Sequence, residues 1–187
     1  PELHTRILAE VIEPTLRGMA DEGERYTGFL YAGVMVDSGG NPKVLEFNCR
    51  FGDPETQPIL MRLQTDLADL IDAAIDGRLD AVAADWDPRV ALGVVLAAGG
   101  YPFDYARGDV ITGLDAANGP DSRVFHAGTR QRADGSVVTD GGRVLCVVGL
   151  GSDFREARDH AYAATARIHF KDMYARTDIG HRALERG

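Results

Sequence analysis

The chain has 187 residues, 44% hydrophobic and 26% charged, which suits an ordinary globular protein with one domain or two small ones. Its 29 acids against 20 bases give a net charge of −9, without the Lys/Arg clustering that a nucleic-acid surface needs. No apolar run is long enough to span a bilayer and no basic-then-apolar signal opens the chain, so neither membrane nor nucleic acid is expected as a partner.

Pro1, not Met, leads directly into a helical pattern, so a piece of a longer chain or a processed product is expected. From Glu2 to Asp21, Leu3, Ile7, Val11, Ile12, Leu16 and Met19 recur at helical spacing. Pro14 lacks an N–H and clashes with the turn before it, which predicts a kinked helix or two short ones ending near Gly23. Thr27 to Val36 and Lys43 to Asn48 are extended runs around Asp37-Ser38-Gly39-Gly40-Asn41-Pro42, a β-hairpin pattern. Leu60, Leu63, Leu67, Leu70, Ile71 and Ala74 then trace one helical stripe that stops at Gly77, with Asp66, Asp69 and Asp72 on a solvated face. The acidic, alanine-rich segment from Gly77 to Pro88 is expected to hold a domain boundary, dividing the chain into 1–84 and 85–187.

Beyond it, Ala91 to Ala98 reads as a strand followed by the turn Gly99-Gly100-Tyr101-Pro102. Short strands are predicted at Val110 to Gly113, Arg123 to Ala127, Gln131 to Ala133, Val137 to Thr139 and Val144 to Gly149. A last helix runs from about Asp153 to Ile168, with Ala157, Ala161, Ala164 and Ile168 on one face and capping-box spacing between Asp153 and Glu156. The expected class is α+β. Cys49 and Cys146 show no metal-ligand spacing and are expected as small buried hydrophobes, with the cytoplasm as the default compartment. The five histidines are dispersed and no pair has zinc-site spacing. Gly99-Gly100 lacks the Lys-Ser/Thr of a P-loop and reads as a tight turn.

The stretch from Val44 to Gln57 carries the densest chemistry. Side chains two apart on a strand share a face, so Glu46 and Asn48 point the same way. A carboxylate beside an amide oxygen is a hard-oxygen pair suited to Mg²⁺ or Mn²⁺ holding a nucleotide phosphate. Arg50 has the same parity and would follow them if the strand ran on, offering a planar positive fork to a phosphoryl oxygen. The alternative is an edge strand with solvated polar residues and a type I turn, with Arg50 in a salt bridge to Asp53 or Glu55.

The longer run Glu46-Phe47-Asn48-Cys49-Arg50-Phe51-Gly52-Asp53-Pro54-Glu55-Thr56-Gln57-Pro58 resembles the signature of the phosphoribosylamine–glycine ligase family, ATP-grasp enzymes of purine biosynthesis. Further matches stand in family order. They are Gly28 to Met35, Ala97-Ala98-Gly99-Gly100-Tyr101-Pro102, Phe125-His126-Ala127-Gly128-Thr129, Thr139-Asp140-Gly141-Gly142-Arg143-Val144 and Asp178-Ile179-Gly180. The resemblance covers nearly the whole chain but only the C-terminal portion of such an enzyme. It implies the end of an ATP-grasp lobe, an antiparallel sheet with helices, followed by a small α+β C-terminal domain.

The activity implied is ATP-dependent ligation of glycine to phosphoribosylamine through glycyl phosphate, giving glycinamide ribonucleotide, ADP and phosphate. Within it, Glu46 and Asn48 are implied as metal ligands, Glu46, Asn48 and Arg50 as the grip on ATP through its metal and phosphates, and Arg50 and Asp53 as catalytic residues. Asp53 either receives the ammonium of glycine or caps the turn through Pro54; Glu55 and Gln57 are weaker candidates. D-alanine–D-alanine ligases carry a further metal-binding acid on the preceding strand, where this chain has about Gly33, which leaves Asp37 as a weaker candidate. The lysines over the phosphates and the adenine hinge fall outside this sequence, so the missing N-terminal part of the same enzyme is the expected partner. Two other readings are another ATP-grasp carboxylate–amine ligase and a non-catalytic nucleotide- or partner-binding domain.

Overall fold

The computed structural model describes residues 2–186; Pro1 and Gly187, the outer ends of the two expected domains, lie outside them. The chain opens with α1 (Glu2–Ile7) and α2 (Glu13–Asp21), joined through a π-helical turn at Leu8–Ile12. The outcome is two short α-helices with a π turn between them, the second ending at Asp21. A wider turn just upstream relieves the clash of the Pro14 ring, and the Thr15 hydroxyl donates to the Val11 carbonyl at 2.7 Å. The hairpin follows as β1 (Tyr31–Val36) and β2 (Pro42–Asn48), antiparallel. Asp37 pins its turn: one carboxylate oxygen accepts from the Gly39 and Asn41 amides, each at 2.9 Å.

Two helices come next, α3 (Thr56–Arg62) and α4 (Leu67–Ile75), where the apolar stripe predicts one. Leu63 is extended and bridges to Trp86, which ends α3. Asp66 is exposed, as expected, and it also caps α4 by accepting from the Ala68 amide at 2.8 Å. A 3₁₀ turn at Leu79–Ala81 leads to β3 (Val90–Ala97), α5 (Leu114–Ala117), β4 (Ser122–His126), β5 (Thr129–Gln131), β6 (Val137–Thr139) and β7 (Arg143–Gly151). The chain closes with α6 (Phe154–Thr165), β8 (Tyr174–Ala175) and α7 (His181–Arg186). The fold is α+β with antiparallel sheets. No helix among the described residues is long and apolar enough to cross a membrane.

The chain forms two compact units, Pro1–Gly52 with Thr65–Ala84, and Asp53–Gln64 with Asp85–Gly187. In the first, Arg6 ties α1 to the hairpin turn by donating to the Gly40 carbonyl at 2.8 Å. The two-stranded sheet keeps Met35, Val44, Leu45 and Phe47 exposed. In the second, a four-stranded sheet runs β4-β7-β3-β8 with β7 at its centre. Every residue of β7 after Arg143 is buried, because α6 covers one face and α3 packs on the other.

That burial needs close approach. A Cβ on Gly149 would run into the Ala157 carbonyl oxygen and the Ala161 amide, and one on Gly151 would meet the Ala157 amide. Ala157 and Ala161 are completely buried there, and Leu92, Val94, Leu96, Leu145 and Val147 fill the layer beneath α6. At its start Asp153 accepts from the Glu156 amide at 2.8 Å, but Glu156 reaches back to Ser152, not to Asp153. The expected face of α6 is buried as predicted, although the helix ends at Thr165 and Ile168 packs from the turn beyond it. The predicted strand from Val110 to Gly113 reduces to isolated bridges, Val110 to Val138 and Thr112 to His169. The two-residue β8 was too short to leave a periodic signal.

Three outcomes follow from this packing. Gly149→Ala should destabilise the second unit by about 2 kcal/mol or more, because the clash is with helix backbone that cannot move aside; calorimetry should find Tm lowered by roughly 10 °C. Cys146 is buried and its thiol is pushed up to about 12, chiefly by burial and secondarily by the charge of Asp53, whereas Cys49 is exposed beyond the end of β2. Thiol titration of the native chain at pH 8 should therefore count one fast-reacting cysteine, the second appearing only on unfolding. Ahead of β3, the Arg89 side chain and amide hold the Asp87 carboxyl down to about 2, from an ordinary value of 3.8. A depressed carboxyl stabilises fully above its unfolded value. Denaturation curves should therefore show this contribution constant above about pH 5 and lost as pH falls through 4 towards 2. Asp87→Asn should flatten that part of the profile.

Candidate functional site

The hairpin sets the first group of residues. Its register places Glu46 opposite Gly33 and Asn48 opposite Tyr31, and Leu45 is the extra residue of a β-bulge between the pairs Gly33–Glu46 and Val34–Val44. A bulge re-aims the neighbouring side chain and sharpens the local twist. Gly33 is the residue that leaves room: a Cβ there would stand 3.1 Å from Glu46 Cγ and 3.6 Å from the Glu46 carbonyl oxygen. The stem of Glu46 thus lies over a position of β1 that carries no side chain, with the Tyr31 ring beside it.

Glu46 and Asn48 are brought together as their parity implies. Asn48 Nδ2 donates to Glu46 Oε1 at 3.2 Å, so Oδ1 is what the amide has left to offer a cation. No group of three or more His, Cys, Asp or Glu side chains able to hold a metal occurs among the described residues. The donor set is one carboxylate and one amide oxygen. That suits a hard ion which takes its other ligands from phosphate and water, as Mg²⁺ commonly does. Asp37 is not part of this group, since its carboxylate is committed to Gly39 and Asn41, whose hydrogen bonds also hold its pKa below the ordinary value.

Arg50 does not continue the strand. β2 ends at Asn48 and the chain bends at Cys49 and Arg50, so the shared parity lapses two residues early. The exposed guanidinium donates from Nη1 to the carbonyl of Phe51 at 2.8 Å, and Phe51 stacks on Phe29 with ring centroids 4.0 Å apart. The bend also exposes Cys49, against the expectation of burial.

Asp53 belongs to the second unit. Its carboxylate is held by Arg143 Nη2 at 2.9 Å, and Arg143 Nη1 also lies 3.4 Å from its carbonyl oxygen. Asp53 is thus oriented by the first residue of β7 and not by Arg50, and the Asp53–Pro54 peptide is cis. Arg143 is the residue that sequence reasoning missed. It stands 90 positions away, and its one sequence signal is its place beside the glycine pair Gly141-Gly142. Gln57 Oε1 is buried without a hydrogen-bond partner among the described residues.

Comparison with known proteins identifies the family. Residues 1–56 match the family model described as phosphoribosylglycinamide synthetase, ATP-grasp (A) domain, and residues 91–182 match the model of its C domain. The chain is 59% identical over 185 residues to phosphoribosylamine–glycine ligase of Vibrio cholerae and 61% identical over 186 residues to that of Allochromatium vinosum. These alignments take in 99% and 100% of this chain but 43% of each relative, so the chain spans less than half the length of the curated relatives it matches. The crystal structure of phosphoribosylamine–glycine ligase from Thermotoga maritima superposes with a TM-score of 0.77 at 36% identity, over 96% of this chain and 44% of that one. A single-chain, multi-domain long-chain acyl-CoA carboxylase shares the fold, with a TM-score of 0.57 at 22% identity over 92% of this chain and 19% of that one. With both domain models matched in order and the same enzyme met in sequence and in structure, the chain belongs to the phosphoribosylglycinamide synthetase family, whose C-terminal portion it resembles.

Proposed function

We propose that this chain supplies part of the nucleotide site and the C-terminal domain of an ATP-dependent ligase that joins glycine to 5-phosphoribosylamine. Residues 1–84 would be the end of the ATP-grasp domain and 85–187 the C-terminal domain. The observation that carries the reading is the Glu46–Asn48 pair, hydrogen-bonded at 3.2 Å, with Gly33 opposite Glu46 across the hairpin. Two oxygens of this kind on a solvent-facing strand serve no packing purpose.

In the proposed reaction the carboxylate of glycine attacks the γ-phosphate of ATP and ADP leaves. The amine of phosphoribosylamine then displaces phosphate from glycyl phosphate, losing a proton as the amide forms. Mg²⁺ or Mn²⁺, when bound, would neutralise phosphate charge and act as a Lewis acid. Glu46 would bridge cations and Asn48 would hold one through Oδ1. Arg50 gives one N–H to Phe51 and has others for a phosphoryl oxygen. Asp53, kept in place by Arg143, is suited to receive an ammonium group. The work of these residues is positioning and charge compensation, which is most of what phosphoryl transfer asks of a protein. The lysines over the phosphates and the contacts to adenine would come from the part of the enzyme that lies outside the matched 43%.

The test is steady-state ligation by a full-length enzyme carrying this chain as its C-terminal part. Glu46→Gln should lower turnover on the order of a thousandfold, with circular dichroism unchanged, because an amide cannot supply the charge that the cation site requires. Arg50→Lys should lower turnover more than ATP affinity, since an ammonium does not reproduce the planar fork. Near-normal activity of Glu46→Gln at ordinary magnesium concentrations would overturn the assignment.

A further inference from the structure

The chain has three asparagines, Asn41, Asn48 and Asn118, and only Asn118 stands before a glycine. An asparagine in that position is prone to cyclise, because no Cβ shields the next backbone nitrogen and the backbone can take the geometry of the ring. The pair has no part in the chemistry of the hairpin. It lies in the second unit, in the exposed link between α5 and β4.

In the folded chain both reacting groups are engaged. Asn118 Nδ2 donates to the Leu114 carbonyl at 3.0 Å, and Oδ1 accepts from the Val124 amide at 2.9 Å. These two partners decide which end of the side-chain amide is which, and together they stop it from turning onto the main chain. The nucleophile is held as well, since the Gly119 amide donates to the Ser122 carbonyl at 2.9 Å. Ser122 Oγ closes the link by donating to the Ala117 carbonyl at 2.9 Å. What this clasp holds is core: Ala117 is completely buried, Val124 is buried, and Leu114 packs against the same layer. Yet α5 has only four residues, and Asn118, Gly119 and Pro120 are exposed. Such a clasp opens locally, without unfolding of the whole unit.

We propose that Asn118–Gly119 is a deamidation site that the native fold holds shut, and that its reaction removes the clasp irreversibly. On opening, the Gly119 nitrogen attacks Asn118 Cγ and the new N–Cγ bond closes a succinimide ring. The Cγ–Nδ2 bond breaks, and Nδ2 leaves as ammonia with the proton from Gly119. Water then opens the ring to aspartate or isoaspartate. Neither product can remake the clasp. Aspartate has no N–H for Leu114 and sets a charged oxygen against its carbonyl. Isoaspartate also lengthens the main chain by one carbon, beside the bridge between Gly119 and Ser122.

The test follows the 187-residue chain at mildly alkaline pH, native and in urea, with peptide mass spectrometry reading conversion of the Asn118 amide to acid. The unfolded chain should convert about tenfold faster or more, since only there are both groups free at all times. Ser122→Ala should speed conversion of the native chain about fivefold, the shift in opening that one lost hydrogen bond gives, and leave the rate in urea unchanged. Gly119→Ala should slow conversion in urea about tenfold or more. It should keep the native circular dichroism spectrum, because the backbone there is not left-handed and a Cβ would meet only Ser122 Oγ, at an ordinary 3.4 Å. Asn118→Asp should lower Tm by roughly 5 °C. Equal rates with and without urea, or a Gly119→Ala chain that converts as fast as its parent, would overturn the site. An Asn118→Asp chain with the parent's Tm would overturn the clasp.

Discussion

The second unit depends on how closely a helix can lie on a sheet. Gly149 and Gly151 remove side chains from the outer end of β7, and Ala157 and Ala161 remove all but a methyl from α6. Backbone then meets backbone across the layer, and the longer side chains of β3 and β7 close the space around it. Because interiors are packed at crystal-like density, an added methyl here cannot be absorbed by local adjustment. β7 takes its place at the centre of the sheet from this fit, and with it the position of Arg143 at the mouth of the strand. The grip on Asp53 is therefore set by packing at the far end of the same strand.

The first unit is stabilised differently. Its hairpin has two strands, each with apolar side chains in solvent, and a two-stranded ribbon contributes little stability by itself. What fixes its shape is polar and local: Asp37 knotted to Asn41 across the turn, Arg6 reaching from α1 to Gly40, and a bulge at Leu45. These interactions determine where Glu46 points. They do so without burying it, so its carboxylate stays exposed to solvent.

Much of this was legible in the sequence because periodicity and turn chemistry are local. The hairpin, the buried face of α6 and the Glu46–Asn48 juxtaposition all follow from spacing alone. The family resemblance rested on a long run of residues, not on a three-residue pattern. The failures share a cause. The apolar stripe from Leu60 to Ala74 has no gap, yet Leu63 pairs with Trp86, a partner that periodicity cannot see. Arg50 was given the parity of a strand that ends at Asn48, and Cys49 the burial of one. The bulge at Leu45 leaves no compositional mark. Arg143 was hidden by distance along the chain, since a pairing of residues 90 apart belongs to the fold and not to any window of sequence.

The segment Asp53–Gln64 belongs to one compact unit while the residues on both sides of it belong to the other. The backbone therefore passes between the units three times. No single cut of the gene yields either one alone: a truncation at residue 84 separates α3 from β3 and β7, against which it packs. The units are thus defined by contacts and not by order along the chain, and an exchange of either one by itself would need more than one cut.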